Sequence, residues 1–223
     1  MREEEINAII LYGSWARGEQ DRESDIDIVV FTDKTIKRIE DGVLEHYILP
    51  FRVKDCNISI YDTLMLNQML EYGSLFLWHI KLEGICLHGR SYLDSCFTRL
   101  LDFTHHKEEI EYHQRLLDSL LEAQRITGII EDFDFSLLFT IVRNTCMILV
   151  HKKGQMIFSK YKCFESASQL YPGLPLLETE YCFLGRYKNA YERYSYNVNF
   201  SVSREGLMKK VGELLEFALK NVC

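Results

Sequence analysis

The 223-residue sequence lacks three features that would narrow its class at once: paired cysteines, a long apolar run and an excess of basic charge. Its seven cysteines are an odd number and include no Cys-x-x-Cys pair, which argues against both a disulfide framework and a zinc site. Reduced thiols in a cytoplasmic protein are therefore expected. The formal net charge of −7 argues against a surface that coats nucleic acid, and it leaves room for a cationic small substrate.

No segment has the pattern of a membrane anchor or a leader. The N-terminal segment MREEEIN is acidic and lacks the apolar core of a signal peptide. The longest apolar stretch, residues 135–150, is interrupted by Arg143 and Asn144, too early for a membrane span. We therefore expect a soluble protein with no membrane partner.

The two halves of the chain differ in hydrophobic pattern. Apolar runs at residues 8–12, 25–31 and 52–61 predict strands, and Asp33 is a plausible cap for a helix through Leu44. After about residue 95 only helical patterns remain, with the clearest apolar stripe between residues 135 and 150. The pattern predicts an α/β domain over residues 1–95 and an α-helical domain over residues 96–223.

The segment after the first predicted strand has the features of a phosphate-binding turn. Gly13 permits a tight turn and the close approach of a ligand to the backbone. Ser14 adds a hydroxyl at a helix start, where free N–H groups and the helix dipole favour an anion. Arg17 lies one turn further on and can reach phosphate oxygens.

The second predicted strand begins with two aspartates. Asp25 and Asp27 are two residues apart, so they project from the same face, with about 6.5–7 Å between their backbone positions. Two carboxylates that converge in this way can share magnesium beside a bound phosphate. Ile26 and Ile28 point the other way, into the core.

These residues together resemble the signature of a known family. Gly13-Ser14, Ala16-Arg17-Gly18 and Ser24-Asp25-Ile26-Asp27 are similar to the motif of polymerase-β-type nucleotidyltransferases, in particular the minimal and antibiotic-modifying branches. In that family the Gly-Ser pair holds the triphosphate and the paired aspartates bind two magnesium ions. A nucleoside monophosphate passes to an acceptor, and pyrophosphate leaves.

The resemblance implies a fold, a cofactor and a substrate. The fold is an α/β (α+β) nucleotidyltransferase domain with a small mixed sheet, followed by an all-α helical bundle. The cofactor is Mg²⁺, held by Asp25 and Asp27 as catalytic residues. The nucleotide is a nucleoside triphosphate, with ATP favoured, bound by residues that include Ser24 beside Gly13, Ser14 and Arg17.

Two further segments resemble parts of the same family more weakly. Residues 75–89, with His79, Glu83 and Gly84, are similar to a segment that commonly follows the core in small members. Phe158-Ser159-Lys160 looks like a helical-domain segment of aminoglycoside nucleotidyltransferases, in which a lysine approaches the nucleotide phosphates. This resemblance implies that Lys160 binds nucleotide.

The sequence departs from the family at the third carboxylate, which helps to activate the attacking hydroxyl. The family position falls on Asn57, whose amide cannot accept a proton as a base. Asp55 shares that strand face one repeat away, and a bulge could bring it in. The alternatives are a protein that binds nucleotide without turnover, or a base from the helical domain among Glu131, Asp134 and Glu165.

The leading functional hypothesis is transfer of AMP from ATP to a hydroxyl of a small, aminoglycoside-like acceptor, and hence antibiotic resistance. The second is modification of a partner protein, as in toxin–antitoxin systems, and the third is a catalytically impaired nucleotide-binding protein. The sequence fixes neither the acceptor nor the oligomeric state, so a homodimer stays among the alternatives. His105, His106 and His113 lack the spacing of a metal motif and are expected to be solvated.

Overall fold

The computed structural model describes residues 5–20, 24–35, 42–51, 56–192 and 203–223. It divides into two compact units, Met1–Thr104 and His105–Cys223. The middle of the predicted helix over residues 33–44 and the start of the predicted strand over residues 52–61 lie outside the described residues.

The first unit is built on a four-stranded mixed sheet. Its strands are β1 (Ile6–Tyr12), β2 (Ile26–Thr32), β3 (Cys56–Asp62) and β4 (Ile85–His88), in the order β3-β2-β1-β4. β1 pairs antiparallel with β2 and with β4, whereas β2 and β3 are parallel. The predicted small mixed sheet is confirmed.

Short helices lie between these strands and after the last of them. They are α1 (Gly13–Arg17), α2 (Glu45–Ile48) with a 3₁₀ turn at Leu49–Phe51, α3 (Thr63–Tyr72), α4 (Leu75–Glu83) and α5 (Arg90–Phe97). The Asp62 carboxylate caps α3 by accepting a hydrogen bond from the Met65 backbone N–H at 2.8 Å. The boundary predicted after residue 95 falls inside α5, whose Leu93 and Cys96 are buried in the core of the first unit.

The alternation of side chains along β2 determines the face of the sheet on which Asp27 projects. Ile26, Ile28 and Val30 enter one core cluster, together with Leu44. Val29 and Phe31 enter the other cluster, which packs against α3, α4 and α5 and whose buried members also include Leu70, Leu77 and Leu93. Since successive strand residues alternate in direction, Asp27 projects on the same face as Val29, at the start of the strand.

The second unit is entirely helical in its described part, as predicted. Its helices are α6 (His106–Thr127), α7 (Asp132–Lys152), α8 (Lys162–Leu170), α9 (Glu178–Glu192) and α10 (Arg204–Val222). α7 contacts each of the other four. Its aromatic residues stack on α9, with 4.6 Å between the ring centroids of Phe135 and Tyr187. α7 is therefore the central helix of this unit.

α7 is also the one described helix that is long and apolar enough to cross a membrane by length and composition, yet 61% of its apolar window is buried inside the structure. Its central place in the unit accounts for this apolar character.

The expectation of solvated histidines is wrong for His113. This side chain is 4% exposed, and its Nδ1 lies 3.0 Å from the Thr145 hydroxyl of α7. Burial lowers the pKa of the imidazole from 6.5 to about 4. His113 therefore belongs to the core of the helical unit as a neutral ring.

Candidate active site

The turn from β1 into α1 brings the backbone against an acidic side chain. Gly13 is buried, with φ at +74°, a conformation that other residues adopt at a cost. A Cβ at this position would lie 3.1 Å from Asp27 Cγ and closer still to its Oδ2. The absence of a side chain at Gly13 is thus what lets the carboxylate lie on the turn.

Strand pairing brings further polar groups to the same end of the sheet. Asp27 lies opposite Tyr12 of β1 on one side and opposite Asn57 of β3 on the other. The Asn57 amide Nδ2 donates a hydrogen bond to Asp25 Oδ2. Asp25, Asp27 and Asn57 therefore form one polar cluster next to the Gly13 turn.

The negative charge of this cluster affects the pKa of the neighbouring Cys56 thiol. Its pKa is raised to about 11, chiefly because the thiol is half-buried, and further by the negative charges of Asp27 and Asp25. Both carboxylates therefore lie near enough to this thiol to disfavour its ionised form.

The donor set of the cluster suits a hard divalent cation. Asp25 and Asp27 offer carboxylate oxygens, and the Asn57 amide already directs its N–H group at Asp25. Among the described residues, no cluster of three or more histidine, cysteine or acidic side chains forms a complete metal cage. Such a pair fits a metal that takes its other ligands from a nucleotide phosphate and from water.

Arg17, at the end of α1, is 15% exposed at its side chain and is engaged by three partners. Its Nε donates to Glu19 Oε2 at 2.8 Å, and its NH1 donates to Glu83 Oε2 at 3.1 Å. The same NH1 lies 3.2 Å from His79 Nε2. Burial would raise the pKa of Glu83, but the hydrogen bonds to His79 and Arg17 outweigh it and the pKa is lowered.

Of the two predicted serines, Ser14 is within α1 and Ser24 follows it in the chain. Ser14 is the second residue of that helix, and the backbone carbonyl of Ser24 accepts a hydrogen bond from Trp15 Nε1 at 3.2 Å. This bond ties α1 to the segment that leads into Asp25.

The remaining predicted residues belong to the second unit or lie outside the described residues. Lys160 is in the second unit, where its ammonium group donates to Asn189 Oδ1 at 3.4 Å and lies 5.2 Å from the centre of the Tyr161 ring. Asp55 lies outside the described residues. The other candidate bases have local partners: Glu131 and Asp134 form the capping box of α7, and exposed Glu165 accepts from Gln169.

A cavity of about 340 Å³ in the first unit lies apart from the aspartates. It lies between β1, β4, α4 and α5, and its lining includes Ile10, Lys81, Cys86, Arg90 and Phe97. None of the predicted phosphate or metal ligands lines it.

A family model gives the first unit a known fold. Residues 1–92 match the family model described as polymerase beta, nucleotidyltransferase. This match, together with the mixed sheet, gives the first unit the fold of a polymerase-β-type nucleotidyltransferase domain.

One solved structure extends the likeness of fold to nearly the whole chain. A spectinomycin adenyltransferase, AAD(9), of Enterococcus faecialis, solved with ATP and spectinomycin, aligns with a TM-score of 0.54 and 13% sequence identity. The alignment covers 97% of this chain and 92% of that one. A toxin–antitoxin structure with AMP-PNP aligns over 52% of this chain and 87% of that one, at 19% identity and a TM-score of 0.28. No curated protein shows a significant sequence match.

Proposed function

We propose that the protein is a magnesium-dependent nucleotidyltransferase that moves AMP from ATP onto a hydroxyl of a small acceptor. The observation that carries the proposal is the Asp27 carboxylate against the Gly13 turn, with Asp25 bound to the neighbouring Asn57, within a domain that matches this family's model. The acceptor hydroxyl oxygen forms a bond to the α-phosphorus and its proton is released to water, while the bond from that phosphorus to the pyrophosphate oxygen breaks and pyrophosphate leaves.

Each residue of the site has a role in holding the nucleotide. The backbone at Gly13, the Ser14 hydroxyl and the Arg17 guanidinium bind phosphate oxygens, with Ser24 and Lys160 as further nucleotide ligands. Asp25 and Asp27 hold Mg²⁺. When bound, the metal neutralises phosphate charge and orients the phosphates for in-line displacement.

Two observations support a cationic, aminoglycoside-like acceptor. The chain carries a formal net charge of −7, which favours a positively charged partner. The similar fold named above is that of an adenyltransferase acting on spectinomycin. A role in antibiotic resistance follows if such a compound is the acceptor.

Asn57 favours a second candidate function: nucleotide binding with little or no turnover. It lies opposite Asp27 on β3 and gives its amide N–H to Asp25, so it supplies no proton-accepting carboxylate there. An enzyme that works with Asn57 needs its base elsewhere, or needs an acceptor that is activated by the metal site alone.

Pyrophosphate release distinguishes the two candidates. The purified protein is incubated with ATP, Mg²⁺ and a panel of aminoglycosides and spectinomycin, beside the Asn57→Asp and Asp27→Ala variants. The proposed enzyme releases pyrophosphate only with an acceptor, and Asp27→Ala abolishes the release. Activity in Asn57→Asp but not in the parent protein favours the impaired candidate. Acceptor-dependent release that Asp27→Ala leaves unchanged contradicts both.

A further inference from the structure

The second half of α4 contacts the phosphate-binding arginine, although 62 residues separate Arg17 from His79 and 66 separate it from Glu83. Glu83 Oε2 lies 3.1 Å from Arg17 NH1 and also 3.1 Å from His79 Nε2. The three side chains are mostly buried, with exposed fractions of 15% for Arg17, 24% for Glu83 and 7% for His79. They form a closed triangle that we call the α4 clamp.

Within the α4 clamp, the hydrogen bond from Arg17 to Glu83 is always present, whereas the contact of Arg17 with His79 depends on which ring nitrogen carries a proton. A guanidinium always donates, so His79 Nε2 accepts from Arg17 only when that nitrogen carries no proton, and it donates to Glu83 when it carries one. Glu83 accepts from Arg17 NH1 in both cases. Glu83 is therefore the partner that holds the guanidinium whatever the charge of His79.

The contacts of Arg17 in the α4 clamp leave its NH2 group available to a ligand. Arg17 has five N–H groups; Nε is used by Glu19, and NH1 by the clamp. Among the described residues, none accepts a hydrogen bond from NH2. NH2 is thus the nitrogen that can donate to a phosphate oxygen while the other two stay bound.

We propose that Glu83 and His79 are positioning residues, which fix Arg17 through NH1 so that its NH2 edge is preset for a nucleotide phosphate. This inference rests on the proposed function, because it assigns Arg17 to the phosphates. The clamp lowers the entropy that Arg17 loses on binding, since a buried and hydrogen-bonded side chain has already lost its rotamer freedom.

Positioning and electrostatics predict opposite changes in ATP affinity when the Glu83 side chain is removed. Its carboxylate is a negative charge next to an arginine that must attract a polyanion, so removing that charge should tighten ATP binding. Positioning predicts that removing the side chain weakens binding. The sign of the change in ATP affinity therefore distinguishes a positioning residue from a competitor for Arg17.

The experiment is a double-mutant cycle on ATP binding with Mg²⁺, measured by isothermal titration calorimetry. Its variants are Glu83→Ala, Arg17→Ala and the double variant. Lys81→Ala is the matched control, because this exposed side chain is on the same helix and lies over the Trp78 ring, 4.4 Å from its centre. Glu83→Gln keeps a hydrogen-bond acceptor of the same size. Thermal unfolding of each variant checks that the titrations are made on folded protein.

We expect Glu83→Ala to weaken ATP binding about tenfold, the equivalent of about 1.4 kcal/mol, and Glu83→Gln to stay closer to the parent protein. The double variant should bind as weakly as Arg17→Ala alone, because Glu83 acts through that residue. Tighter binding by Glu83→Ala, or equal losses from Lys81→Ala, would overturn the positioning role, as would additive losses in the double variant. If the parent protein does not bind ATP, the proposed function fails rather than the clamp.

Discussion

Replacing Gly13 with alanine tests the geometry of the turn directly. The backbone at Gly13 has φ at +74°, and the left-handed conformation costs a residue with a Cβ about 1–2 kcal/mol. The added methyl group would also meet Asp27 at 3.1 Å from Cγ and 3.3 Å from Cβ. The added methyl group would lie closer still to Oδ2, about 1 Å inside an ordinary contact, so the carboxylate must move by roughly 1 Å.

Gly18→Ala is the matched control for this substitution. Gly18 ends α1 with φ at +68°, but a Cβ there would meet nothing within 4 Å. Both variants carry the conformational cost, so both should lose about 1–2 kcal/mol in the free energy of unfolding. Only Gly13→Ala displaces Asp27, and a misplacement of about 1 Å in an active site can cost on the order of a hundredfold in rate.

The assays are urea unfolding, followed by circular dichroism, and ATP binding in the presence of Mg²⁺. We expect Gly13→Ala to weaken Mg²⁺-dependent ATP binding by about tenfold or more, and Gly18→Ala to leave it nearly unchanged. Equal ATP affinities for the two variants would refute the placement of Asp27 on the turn.

Two further predictions concern the helical unit. His113 has a folded-state pKa of about 4 against 6.5 for the ordinary group, so the unfolded chain binds the proton first as the pH falls. Urea unfolding should therefore show a loss of about 2 kcal/mol between pH 7.5 and 5, and much of this loss should be missing in His113→Asn; an equal loss in both proteins would contradict it. If Lys160 binds a phosphate, Lys160→Ala should weaken ATP binding several-fold while Lys209→Ala, whose side chain is 80% exposed, has no effect. Equal affinities for these two variants would remove Lys160 from the nucleotide site.

The local part of the site could be predicted from the sequence because strand alternation and turn chemistry are short-range rules. Asp25 and Asp27 are two residues apart, and Ile26 and Ile28 between and after them lie in the core, as the alternation requires. Gly13 at the strand end indicated a tight turn, and the structure gives it a positive φ.

The long-range part could not be predicted, because it depends on which elements pack together. The sequence offered His79 and Glu83 only as part of a resembling segment, and their contact with Arg17 requires α4 to lie beside α1. His113 appeared solvated because histidine is polar, whereas its helix face and the Thr145 hydroxyl place it in the core. The Asn57 contact with Asp25 depends in the same way on the register between β2 and β3.

The most direct test of the proposed site is the dependence of ATP binding on magnesium, measured by titration calorimetry for the parent protein and for Asp27→Asn. This substitution keeps the size of the side chain and removes one metal-binding charge. If Asp25 and Asp27 hold the metal beside the phosphates, the parent protein binds ATP far more tightly with Mg²⁺ than with EDTA, and Asp27→Asn loses most of that difference. An ATP affinity that is the same with and without Mg²⁺, or that Asp27→Asn leaves unchanged, would contradict it.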